Sequence, residues 1–343
     1  MAVRAVSFRG GILKRDQSRA VLFAPAGFLI DLRSPFGERV RGIKLDKGDL
    51  ISVMRKQMKI IYHHHSGFSI QLGKILLVFD YWRGENESLP LSAQLLPSFL
   101  NRFDHVYVFI SHSHVDHYDP IVYEWSLGLR HIEYLQGDDV PLAPEVKGQH
   151  VMKPGDELTL PGDVLVKAYP STDLGVSFHV QADGLSIFHA GDLNLWHWRE
   201  ESTVAEINLA EDEYNAALRA ISGLRFDVCM FPVDPRQGAL YALGAERLIM
   251  TVRPSLFLPM HFFQYDYLIR DFANANSSKF THVLPITRDG TQLSVEFTYT
   301  EGVPQPNISI TMFEPQLENA EAADLDTIES GIFAGSDLPV RME

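Results

Sequence analysis

The chain has a single cysteine, Cys229, in 343 residues, so no internal disulfide can hold it and its stability has to come from packing. It has no uncharged apolar run of about eighteen residues or more, the minimum for a bilayer-spanning helix. Its first residues lack the apolar core of a secretory signal and carry acids where a transit peptide has few. Basic charge is also scarce: 30 Lys and Arg face 44 Asp and Glu, a net charge of −14. Such a field repels polyanions on average and argues against a broad nucleic-acid footprint, leaving only a local basic groove open. No internal repeat is evident. These absences describe a globular protein of a reducing compartment, expected to be cytoplasmic, whose partner is a small molecule rather than a membrane or a nucleic acid.

What charge there is falls unevenly. Residues 1–57 hold 12 basic and 5 acidic groups, leaving 18 and 39 for the rest, a net of −21. With little periodicity, the basic 1–57 segment reads as an N-terminal extension, and from about Glu301 the acidic stretch "EPQLENAEAADLDTIESG" reads as a solvated tail. The middle is strand-rich. "KIIYHHHSGFSIQLGKILLVFD" reads as two or three short strands, "HVYVFIS" as a buried strand, and "GVSFHVQADGLSIFHAGD" as a hairpin turning at "ADG". "FDVCMFPV" and "PSLFLPMHF" read as further core strands, each preceded by a helical run. Strands that each end in a polar cluster imply a sheet scaffold with a site along one edge.

The most informative stretch is "ISHSHVDHYDP", which puts His112, His114, Asp116 and His117 within six positions directly after a buried strand. On the extended exit His112 and His114 alternate and share a face, while Asp116 and His117 follow the turn and "DPIVYEW" opens a helix. Imidazoles and a carboxylate in one short loop suit a borderline divalent ion such as Zn2+, with Mn2+ and Fe2+ as alternatives. Consecutive residues of a strand face opposite ways, so of His63, His64 and His65 only alternate ones can converge, and His65 is expected near the site. His105 and His179 read as structural.

The cluster resembles the HxHxDH signature of the metallo-β-lactamase superfamily, and the resemblance continues in order down the chain. "FHAGD" is similar to the strand that delivers the bridging aspartate, here Asp192, and "LPMHF" to the one that delivers the last histidine, here His261. Asp80, ending a strand in "VFDYW", stands in the place of the family's structural aspartate. The resemblance covers roughly residues 58–298 and implies an α/β fold, a four-layer αββα sandwich. It divides the chain into the 1–57 extension, expected to be dispensable and not necessarily native, the 58–298 domain and a 299–343 tail. It also implies one or two divalent ions: His112 and His114 at a first position, Asp116, His117 and His261 at a second, and Asp192 shared. The family's third histidine of the first position is missing. "YPSTDLG" stands there, so that Asp173, Thr172, Ser171 or solvent takes the place.

The resemblance further implies a metal-dependent hydrolase acting on a small ester, lactone or phosphodiester, with bacterial members of the ascorbate-phosphate lactonase and phospholipase D-like branch as the nearest pattern. Asp116 is expected to orient the attacking water. His189, three residues before Asp192, is a candidate proton donor, with a core histidine the equal alternative, and Trp196, His197 and Trp198 read first as packing residues, with a pocket wall as the alternative. The alternatives are a metallo-nuclease of the same fold, which would want a basic exosite, and a catalytically silent metal-binding module, which the missing histidine favours. Redox chemistry of the flavodiiron kind is disfavoured by His114, which stands where that group carries an acid.

Overall fold

The computed structural model describes residues 52–86, 89–129, 131–198 and 201–315, together with the backbone of two short strands near the N-terminus. The first sheet contains β1 (Arg15–Asp16), β2 (Arg19–Val21), β3 (Ser52–His64), β4 (Gly67–Leu72), β5 (Ile75–Phe79), β6 (His105–Ile110), β7 (Ile132–Gly137) and β8 (Gln149–Met152). The second contains β9 (Glu157–Leu160), β10 (Val164–Pro170), β11 (Val176–Ala182), β12 (Leu185–His189), β13 (Val228–Pro232), β14 (Leu256–Met260) and β15 (His282–Val283). The chain then returns to the first sheet with β16 (Gln292–Thr300) on β3 and β17 (Asn307–Phe313) on β16.

Strand alternation creates the layers. In β5 and β6, Leu77, Phe79, Tyr107 and Phe109 face the second sheet and pack with residues such as Val166, Phe178 and Ile187. Their neighbours Leu76, Val78, Val106 and Val108 face outward, under Leu100, Val122 and Trp125 of short helical turns. Strands covered on both faces need near-continuous apolar runs, as "ILLVF" and "HVYVFI" are. Each buried Leu, Val or Phe side chain contributes about 1.5–3 kcal/mol. The outer face of the second sheet is covered by helices Val204–Ile221, Leu243–Val252 and Asp266–Asn276, whose Tyr214, Leu218, Leu248 and Phe272 join the core. The longest begins at a capping box: the Glu206 backbone N–H donates to Thr203 Oγ1, and the Glu206 carboxylate accepts from the Thr203 backbone. This is the αββα sandwich the sequence implies.

Topology decides where a site can form. β5, β6, β7 and β8 run parallel, as do β12, β13 and β14. Their C-terminal ends therefore share a rim, and Asp80, Ser111, Ala190, Val233 and His261 are the first residues beyond β5, β6, β12, β13 and β14.

The expected boundaries at residues 58 and 298 both need correcting. β3 begins at Ser52, and Val53–Gln57 pair with Glu296–Thr300, so each boundary cuts through a paired strand. Residues 307–313, assigned to the tail, form β17. In the extension, β2 pairs with the start of β3. The acidic stretch beyond residue 315 lies outside the described residues.

Candidate metal centre

The histidine loop is held in place by the two turns of the second sheet that press on it. Gly175 has φ +66°, and a Cβ there would lie 2.0 Å from Ser111 O and 2.7 Å from His112 Cβ. Gly191 has φ +54°, with its Cβ position 2.7 Å from Ser111 Cβ. Only glycine supplies both the left-handed backbone and the space. Val176 N–H then donates to Ser111 O at 3.1 Å, and Ser113 N–H to Asp139 at 2.8 Å.

Asp80 anchors the loop from below. Its buried carboxylate accepts from Ser111 N–H (2.8 Å), Ser111 Oγ (2.6 Å) and His117 Nδ1 (2.8 Å). Burial opposes its ionisation, but the neighbouring His189 and His117 outweigh burial and hold the carboxyl below its ordinary range. Asp234, just beyond β13, plays the same part for His261, accepting from its Nδ1 at 3.0 Å. Imidazoles fixed at Nδ1 by carboxylates turn Nε2 outward as a ligand, the usual support of a metal-binding histidine.

The ligand atoms converge. Asp192 Oδ1 lies 3.0 Å from His117 Nε2 and 3.4 Å from His261 Nε2, and its Oδ2 lies 3.5 Å from His112 Nε2. Asp116 Oδ2 is 3.3 Å from His65 Nε2 and 3.9 Å from His261 Nε2. His112 Nε2 and His114 Nδ1 are 3.0 Å apart. Two ligands about 2.0–2.1 Å from one tetrahedral ion lie about 3.3–3.4 Å from each other, so these separations are those of ligands sharing ions. Three metal-competent groups result: His65, Asp116, His117 and His261; His112, His117 and Asp192; and His114, Asp173 and Asp192.

The donor set fits a divalent ion on two further observations. His65 Nε2, His117 Nε2 and Asp192 Oδ1 are buried without a hydrogen-bond partner, although they lie within a few ångströms of one another. Buried polar atoms left this way are costly unless a cation takes them up. The electrostatics agree. Burial alone would push the His117 imidazole down, yet Asp192 and Asp80 raise it well above its ordinary value. Burial opposes ionisation of Asp192, but His117 and His261 hold it well below the carboxylate range. The carboxylates draw a cation to the centre of the cluster.

The predicted ligands His112, His114, Asp116, His117, Asp192, His261 and Asp173 all lie in this cluster. Asp173 shares a group with His114 and Asp192, whereas Thr172 is tied to the backbone of Asn194 and the Ser171 hydroxyl accepts from Asp173 N–H. Of the three residues in the place of the missing histidine, only Asp173 turns an unengaged side chain to the site. His65 arrives there through an irregularity in the β3–β4 register and a positive φ of 53°. His63 turns away to Ala93 O and His64 to Asp289.

His189 does not keep its expected role. It is fully buried, with Nε2 bonded to Ser66 O at 2.9 Å and Nδ1 accepting from Gly191 N–H at 3.2 Å, while its ring stacks on Phe79. With both nitrogens committed to backbone it has no proton to give a substrate, and it acts as a strut beneath Asp80. Asp234 was not anticipated. The available signal was a carboxylate right after a buried strand in "FPVDP", the same arrangement that marked Asp80.

A cleft of about 390 Å³ opens over the cluster, lined by Asp116, Asp173, Asp192, His261, Trp196, Trp198 and Arg236 among others. Trp196 donates to Asp192 O at 2.9 Å and stacks on Trp198, so both tryptophans wall the cleft. His197 between them is buried the other way, 3.2 Å from Glu211.

Comparison with known proteins agrees with this geometry. Residues 59–208 match the model of the beta-lactamase superfamily domain. A UPF0173 metal-dependent hydrolase of Opitutus terrae is 27% identical over 233 residues, 60% of this chain and 85% of that protein. Another, of Symbiobacterium thermophilum, is 26% identical over 223 residues, 62% of this chain and 88% of that one. Among solved structures, Igni18, a metallo hydrolase from the archaeon Ignicoccus hospitalis, superposes with a TM-score of 0.51 at 18% identity, covering 76% of this chain and 100% of its own. The fold, the order of the candidate ligands along the chain and the match over residues 59–208 agree, and they show a beta-lactamase superfamily domain in this part of the chain.

Proposed function

We propose that this metal-dependent hydrolase cleaves a small ester, lactone or phosphodiester, with Asp116 as the residue that orients the attacking water. Zn2+ is the favoured ion, with Mn2+ or Fe2+ as alternatives because an Asp173 ligand makes the first position richer in oxygen. A divalent ion held by such a cluster acidifies water and polarises the oxygen of the bond under attack.

The protein's own groups do the rest. Asp116 is the observation that carries the reading: it is only partly buried, lies open to the cleft, and stands beside His65, His117 and His261. Burial opposes its ionisation, but the contact with His65 and the charge of His117 hold it well below the carboxylate range. It is therefore ionised at neutral pH and able to accept a hydrogen bond from water and orient it. Asp80 and Asp234 hold His117 and His261, and the two tryptophans restrict solvent at one wall. A small-molecule substrate suits a cleft of this size in a chain of net charge −14. Among the described residues no helix is long and apolar enough to cross a membrane, and a cytoplasmic setting is part of the proposal.

Purified protein assayed on bis-4-nitrophenyl phosphate, a generic lactone, a generic ester and a β-lactam, beside elemental analysis, tests this. One to two ions per chain are expected, with hydrolysis of at least one of the first three substrates, loss on chelation and no action on the β-lactam. A metal-replete protein inert toward all of them would leave the silent metal-binding module as the better reading.

A further inference from the structure

Among the described residues, Arg236 is the one lysine or arginine lining the metal cleft, whose other ionisable side chains include Asp116, Asp173 and Asp192. It follows Asp234 on the loop beyond β13, and its Nε and Nη2 donate to the Asp234 carboxylate. That pairing could be its whole purpose, since Asp234 is buried and charged. Three observations indicate more. Asp234 already accepts from His261, so it does not depend on Arg236 alone. The guanidinium uses one edge for Asp234 and, among the described residues, makes no hydrogen bond through Nη1, while 45% of the side chain stays exposed. Its Cζ also lies over two aromatic rings, 4.4 Å from the centroid of Phe263 and 5.7 Å from that of Trp198, which lines the cleft.

A guanidinium braced on one side by a carboxylate and flanked by aromatic faces keeps a rigid donor fork for a planar or tetrahedral oxyanion. We propose that Arg236 is the anion-recognition residue of this site, and that the substrate carries a carboxylate or phosphate group separate from the bond that is cleaved. This rests on the hydrolase reading above and narrows its substrate class. The cleft's acidic residues Asp116, Asp173 and Asp192 all belong to the metal cluster, so among the described lining residues the fixed cation at Arg236 sets the substrate's direction. Its anionic end meets Arg236 between Trp198 and Phe263, and the scissile bond lies toward Asp116 and Asp192.

Paired esters test this. On metal-loaded protein, 4-nitrophenyl succinate, which carries a free carboxylate, should exceed the similarly sized but neutral 4-nitrophenyl butyrate at least tenfold in kcat/KM, chiefly through KM. Arg236→Met should bring the ratio to about one with metal content retained. Arg236→Lys, which keeps the charge beside Asp234 but not the fork, should lower it at least threefold, and it carries the comparison if the methionine variant does not hold metal. No preference in the parent, or an unchanged ratio in the variants, overturns the proposal. Calorimetry of the same proteins with succinate and with 3-phosphonopropionate reads binding without turnover and shows which oxyanion is favoured. If neither ester is cleaved but either diacid binds at least tenfold more weakly to the methionine variant, the anion site stands and the hydrolase reading falls. Equal binding removes the anion site whatever the hydrolysis result.

Discussion

His117 donates from Nδ1 to Asp80 at 2.8 Å, and neither side chain is exposed to solvent. The same carboxylate holds Ser111, so one residue orients both the loop and a ligand. Supports of this kind are worth about 10- to 100-fold in metal affinity. Asp80→Asn is expected to weaken metal retention by that factor in a chelator competition, with the far-UV spectrum unchanged. An affinity equal to the parent's would reduce Asp80 to a packing residue.

Asp173 offers a separate test of the first position. With alanine there, occupancy of the position built on His112 and His114 should fall, while that built on Asp116, His117 and His261 survives, taking elemental analysis from about two ions per chain toward one. Under limiting metal the second position should fill first. Unchanged stoichiometry would return Asp173 to the turn before Gly175.

Chelation should cost stability as well as activity. A ligand at about a thousand times its dissociation constant adds roughly 4 kcal/mol to the folded state. Removing tightly held metal is therefore expected to lower the unfolding temperature by several degrees, reversibly on adding Zn2+ or Mn2+. Differential scanning fluorimetry with and without chelator measures this, and coincident melting curves would contradict a high-affinity site.

Acid should weaken the fold through buried histidines outside the metal cluster. Burial pushes His63 and His179 down from 6.5 to about 4, with Lys167 adding to the effect at His179. The unfolded chain takes up these protons as pH falls through 6.5, whereas the folded chain waits until about 4. Their contribution is thus complete above pH 6.5 and declines between 6.5 and 4. His179→Gln should lose less stability across that window than the parent, read from urea midpoints at several pH values. Parallel curves for the two proteins would rule this source out.

Gly175→Ala is expected to destabilise the chain by about 2 kcal/mol or more, because it combines a left-handed backbone with a contact that the Ser111 carbonyl cannot yield. Metal content should fall with it, since the same contact seats His112. Gly73, with φ +56° and nothing within 4 Å of its Cβ position, is the control: alanine there should cost only the backbone term and leave metal unaffected.

The candidate metal cluster was legible in the sequence because few reasons other than metal binding put His112, His114, Asp116 and His117 so close together, and because Asp192 and His261 each follow an apolar strand. The layers were legible from runs such as "HVYVFI". The ends of the domain were not. Arg55 and Lys56 sit on a strand whose pattern alternates with exposed positions, and β17 is mostly exposed, so charge and solvation disguised paired backbone as appendages. His189 was left open between proton donor and core residue because proximity in sequence to Asp192 does not say whether a ring reaches the cleft or the backbone behind it. His65 required strand parity and a register irregularity together. Arg236 gave no local signal, since its meaning lies in Trp198 and Phe263, which meet it only in three dimensions.

The parallel ends of β5, β6, β12 and β14 have one more consequence, for the order in which the protein matures. His65, the loop 112–117, Asp173, Asp192 and His261 come from five separate stretches and from both sheets. A partly folded chain can bring together only some of them, so the complete set exists once one sheet has closed on the other. Loading then works as an inspection of the finished product: a newly made chain that holds its ions tightly has already joined its two halves in the correct register.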